Sequence, residues 1–171
     1  MTQAGIQTAQ TGTDGRGDFD FLFGHSRIHH RRLTRLADPD CTEWMEFDSR
    51  AEARPILGGL GNIDFLVVDQ PDGQPFEGMT LRLYDPESGL WRIWWASTSR
   101  PGYLDPPVAG RFTNGHGKFS GEDVLDGRKL LVHYDWTDIT PTTSRWSQRF
   151  SFDDGKTWGG ENWIMTRTLT G

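Results

Sequence analysis

Apolar and polar residues alternate with a period of two along much of the chain, the pattern of half-buried strands. Along Arg145–Phe152, Trp146, Gln148, Phe150 and Phe152 share one face, and Arg145, Ser147, Arg149 and Ser151 share the other. Trp91, Ile93 and Trp95 stand opposite Arg92, Leu130, Val132, Tyr134 and Trp136 stand opposite His133 and Asp135, and Trp163 and Met165 continue the series. By the same rule Met79, Leu81 and Leu83 are expected inside, with Thr80 and Arg82 outside. Turn signals separate the runs: Pro71-Asp72-Gly73, Asp85-Pro86-Glu87-Ser88-Gly89, Asn114-Gly115, Asp126-Gly127 and Asp153-Asp154-Gly155. No long stretch carries apolar residues at helical spacing. The pattern predicts an all-β fold: a single antiparallel barrel of about 8–10 strands, with at most a helical turn in Asp18–Gly24.

Composition narrows this picture. The 171 residues suit one domain, and eight Trp and ten Phe supply apolar area that a 35% hydrophobic fraction understates. Residues 1–17 are polar and rich in Gly, Thr and Gln, so they are expected to form a disordered tail, with the domain spanning 18–171. A net charge of −6 argues against nucleic acid as a partner, and the short run His29-His30-Arg31-Arg32 does not reverse that. There is no apolar signal segment and no membrane-length apolar run. With a single cysteine, Cys41, the chain is expected to be cytoplasmic and its thiol to sit at the surface.

Several segments carry a resemblance. Asp18–Gly24, Gly58-Gly59-Leu60-Gly61-Asn62-Ile63-Asp64, Leu81–Pro86, Leu104-Asp105-Pro106-Pro107, Arg145–Ser151 and Asn162–Met165 together resemble a group of uncharacterised bacterial proteins with a lipocalin-like, or calycin, barrel. The resemblance implies that fold from Asp18 onward and brings no catalytic residues. Lipocalin-like chains often open with Gly-x-Trp, whose Trp plugs the closed end, whereas Gly24-His25-Ser26 has none. Ser151–Trp158 is similar to the Asp box of sialidases, a structural hairpin brace, and one copy does not make a propeller.

Conventional chemistry is sparse. His29 and His30 are neighbours on a strand and point to opposite faces, and His25, His116 and His133 lie in separate elements, so no metal site and no cofactor is expected. Gly58-Gly59-Leu60-Gly61 lacks the following Lys-Ser/Thr of a phosphate loop and reads as a turn or bulge. Polar residues on inward faces remain: His30, Glu46, Asp64 and Gln148 are the candidate catalytic groups. Trp44, Trp91, Trp95, Tyr134, Trp146, Gln148, Phe150 and Trp163 are the candidate ligand contacts. Aromatic walls with a few convergent polar groups are the usual form of a small-molecule site. The leading expectation is a protein that binds a small, largely apolar or aromatic metabolite. The alternatives are a cyclase or isomerase folding its substrate in the same cavity and a solid-cored interaction module.

Overall fold

The computed structural model describes residues 14–68 and 75–171. Ten strands follow one another as β1 (Gly24–Leu33), β2 (Trp44–Ile56), β3 (Gly61–Val68), β4 (Phe76–Asp85), β5 (Leu90–Ser97), β6 (Val108–Thr113), β7 (His116–Leu125), β8 (Arg128–Thr137), β9 (Thr143–Ser151) and β10 (Trp163–Leu169). Each pairs antiparallel with the next, and β1 also pairs with β10, so the sheet is a closed barrel without edges. The expected turn at Pro71-Asp72-Gly73 and residues 1–13 of the expected tail lie outside the described residues.

Several strands run further than their local pattern suggests. The alternation predicts a strand over Glu43–Arg50, but β2 continues through Ala51-Glu52-Ala53-Arg54, a run of weak strand formers. Pairing with Gly24–Leu33 on one side and Gly61–Val67 on the other overrides propensity there. The turn between β2 and β3 is a single 3-10 turn, Leu57–Gly59, with Gly58 and Gly59 at positive φ, which is what the glycine-rich segment supplies. On β4, Gly78 leaves room for the Trp95 ring from the adjacent strand, which any Cβ there would strike.

The chain before β1 closes one end of the barrel. Asp14–Gly17 is not a free tail: Gly15–Gly17 forms a 3-10 turn, the Gly15 amide donates to the Tyr84 hydroxyl (3.0 Å), and the Gly15 carbonyl accepts from Trp91 Nε1 (3.0 Å). A second 3-10 turn, Asp20–Leu22, follows as the pattern predicts. Phe19, fully buried, meets Trp91, Phe112 and Trp136 edge-on at 5.0–5.2 Å between centroids. Phe19 and Leu22 thus fill the end for which the opening strand has no Trp. The opposite end, bounded by Arg32, Phe76, Ser97 and Leu125, is the mouth.

Cys41 is buried rather than at the surface. The loop joining β1 to β2 folds over it, with Sγ 3.6 Å from Thr34 Oγ1 and 3.7 Å from the Glu43 carbonyl. The Asp153 turn between β9 and β10 is braced by its carboxylate: Oδ1 accepts from the Thr157 amide (2.9 Å) and Oδ2 from the Thr157 hydroxyl (2.6 Å). Ser151 Oγ in turn accepts from the Gly155 amide, and the Trp158 ring stacks on His133 at 3.7 Å on the barrel's outer face.

Candidate functional site

Large side chains pointing inward from ten strands do not fill the barrel. A cavity of about 450 Å³ remains between the Phe19–Leu22 plug and the mouth. Its walls include Trp95 from β5, Tyr134 and Trp136 from β8, Trp146 and Phe150 from β9, and Trp163 and Met165 from β10. Tyr134 and Trp146 meet edge-on at 4.9 Å, as do Trp146 and Trp163 at 6.0 Å, so the aromatic wall is one continuous surface. Burial pushes the Tyr134 phenol above its ordinary range, and Asp123 and Asp105 add to the push, so this hydroxyl stays neutral.

The floor is charged. Asp64 from β3, Arg82 from β4 and Arg167 from β10 face inward, at 4%, 4% and 7% exposure. Arg82 donates from Nη2 to Asp64 Oδ2 (2.9 Å) and from Nη1 to Asn62 Oδ1 (2.9 Å). Its guanidinium lies 5.0 Å from the Phe19 ring centroid, so the plug also supports the cation. Arg167 Nη2 is 3.8 Å from the same Asp64 oxygen, an ion pair too long for a hydrogen bond. Burial alone would push the Asp64 carboxyl up, but the attraction of Arg82 and Arg167 outweighs it and holds the group below the usual carboxylate range. Burial penalises the charged form of Arg167, with Asp64 opposing that and Arg82 adding to it.

Arg82 overturns the expected orientation of β4. Thr80 and Arg82 are buried and line the cavity, while Met79, Leu81 and Leu83 are half-buried on the outer side. The physical reason is register. The Asp85–Gly89 turn pairs Tyr84 with Trp91, Arg82 with Ile93 and Thr80 with Trp95, and directly paired residues share a face. Once Trp91, Ile93 and Trp95 point in, Thr80 and Arg82 must too. The turn length was the signal that could have located this arginine in the sequence. Arg167 lies two positions after Met165 and could have been found by extending that strand's alternation.

The other candidates fall in four places. Trp95, Tyr134, Trp146, Gln148, Phe150 and Trp163 line the cavity, as does Asp64. Gln148 donates from Nε2 to Asn162 Oδ1 (3.0 Å), which satisfies part of its buried amide. Trp91 points inward but below the floor, within the plug. His30 is fully buried behind the wall: its ring stacks on Phe47 at 4.4 Å, and it bonds to Ser49 Oγ (2.7 Å) and Trp163 Nε1 (3.2 Å).

Trp44 and Glu46 are not interior residues. They sit on the outer face of β2, where Glu46 accepts from Arg31 Nε (3.0 Å) and the Arg31 guanidinium lies over the Trp44 ring at 5.1 Å. Phe47, paired with His30, takes the inward position instead. Among the described residues, no three His, Cys, Asp or Glu side chains are grouped to hold a metal ion. No described helix is long and apolar enough to cross a membrane. No protein-family model and no curated protein matches this chain.

Proposed function

We propose that this barrel binds a small, largely apolar or aromatic molecule inside its cavity, in the manner of lipocalin-like proteins and in a reducing, cytoplasmic setting. The observation that carries the reading is the cavity itself, about 450 Å³ behind an open mouth, with aromatic side chains on its walls and polar groups at its floor and its rim. That is within the range of small-molecule sites and large for an internal packing defect. An apolar occupant would gain the burial of its surface against walls already in place.

A second reading, an enzyme that folds its substrate in the same cavity, draws on Asp105. Burial pushes this mouth-side carboxyl above the usual range, Asp123 pushes the same way, and Arg100, bonded to it at 2.9 Å, only partly offsets them. A carboxyl so placed could exchange a proton with a bound substrate. Binding is preferred because His30 and Glu46 do not reach the cavity surface, while Asp64 and Gln148 already have protein partners.

The test is titration with aminoanthracene, a neutral aromatic fluorophore. Binding is expected to quench the cavity tryptophans, shift the probe's emission to the blue and raise the melting temperature. At a hundredfold excess over Kd the stabilisation is about 2.7 kcal/mol. Absence of all three responses, for this probe and a panel of larger aromatic compounds, would remove the reading. Any compound that binds is then assayed for chemical change, and turnover that Asp105→Asn abolishes without loss of binding selects the enzyme.

A further inference from the structure

We infer that the molecule bound in the cavity carries a carboxylate, seated at the floor on Arg167 and Arg82; this rests on the binding reading above. Two guanidinium groups share the single carboxylate of Asp64, so the floor holds one positive charge more than its protein partners neutralise. An uncompensated buried charge is costly, and proteins retain one where something pairs with it. Arg82 is engaged, with two hydrogen bonds and two aromatic rings around it. Arg167 has no side-chain hydrogen bond among the described residues and holds only its 3.8 Å ion pair with Asp64; its Nε, like that of Arg82, is buried without a partner. Its side chain nevertheless lines the cavity.

The chemistry of the missing partner follows from that geometry. A guanidinium offers a planar fork of N–H donors, which a carboxylate meets with two parallel hydrogen bonds. One negative charge balances the floor, whereas a dianion would reverse its sign next to Asp64. Above the floor the walls are aromatic, with Trp146 and Trp163 within a few residues of Arg167 along paired strands β9 and β10. The occupant is therefore amphipathic: a carboxylate at the closed end and an apolar or aromatic body toward the mouth. Arg32, at the mouth and over the Trp163 ring at 5.2 Å, is the competing cation for the same group.

Pyrenebutyrate and its methyl ester share one ring system and one chain and differ in the charge. For the intact protein the acid is expected to bind at least about tenfold more tightly than the ester. Arg167→Leu should remove that preference by weakening the acid at least about tenfold while changing the ester by less than about threefold. Arg167→Lys keeps the charge without the fork and is expected to fall between the two. If acid and ester bind equally to the intact protein, the carboxylate inference falls and the binding reading stands. If neither binds, the carboxylate inference falls, and the binding reading falls with it where aminoanthracene and the aromatic panel also fail. If Arg32→Gln removes the preference and Arg167→Leu leaves it, the placement at the floor is overturned. Should Arg167→Leu fail to fold, Arg167→Lys decides in its place: an unchanged preference for the acid and unchanged affinity would overturn the role of the guanidinium fork.

Discussion

A second proton on the His30 ring has nowhere to go. The Trp163 indole N–H can only donate, so its bond to Nδ1 requires that nitrogen to be bare, and the ring's proton sits on Nε2, donated to Ser49 Oγ. Burial is the largest cause holding His30 down at about 4; nearby His29 and Arg167 act in the same direction, and Asp48 opposes them. The unfolded chain thus takes up a proton near pH 6.5 that the folded chain refuses until about 4. Stability from this group is complete above the higher value and is lost as pH falls toward the lower one, by up to about 3 kcal/mol. Urea denaturation across that range should show the loss. His30→Leu should flatten this part of the profile and, by stranding Ser49 and the Trp163 indole, lower stability at neutral pH by about 1–3 kcal/mol. A profile unchanged by His30→Leu would show that other groups set the dependence.

At the scale of one element, the β9–β10 connection depends on Asp153. Hydrogen bonds from the Thr157 hydroxyl and amide, and from Ser151, hold its carboxyl down at about 2. Asp154 and Gly155 beside it adopt positive φ, which the turn needs and glycine permits. Its contribution is complete above the ordinary carboxylate value of 3.8 and disappears as pH falls through about 2, below the window of His30. Asp153→Ala should lower the melting temperature at neutral pH and leave pyrenebutyrate affinity unchanged, because the turn lies outside the barrel wall. A variant with intact melting but lost affinity would instead place the hairpin in the binding site.

Across the whole molecule, the plug and the cavity floor are one structure. Phe19 touches rings from β5, β6, β7 and β8 on one side and supports the Arg82 guanidinium on the other. Removing the ring opens a void at the junction of four strands that cannot easily collapse. Phe19→Ala should cost about 3–5 kcal/mol in denaturant unfolding. It should also weaken the carboxylate probe more than its ester, since Arg82 loses its backing. Equal weakening of both would show that the plug supports the walls but not the charged floor.

Strand alternation and turn chemistry settled the all-β class, the strand order along the chain and most inward faces, because each strand's period of two and each tight turn are local properties. The aromatic wall of Trp95, Tyr134, Trp146, Phe150 and Trp163 was legible for that reason. Whether those rings closed on a solid core or a hollow one was not, since the answer depends on barrel radius and on how ten inner faces meet. The charged floor was hidden for a different reason. A rule that places apolar residues inside turned β4 the wrong way, and only its pairing with β3 and β5 carries Arg82 inward to Asp64. Trp44 and Glu46 failed likewise, because pairing Phe47 with His30 turns Trp44 and Glu46 outward. Hydrophobicity orders a strand only when both neighbours agree with it. Arg82 meets Asp64 on the neighbouring strand, but Arg167 on β10 reaches that carboxylate only when β10 pairs with β1 and the barrel closes.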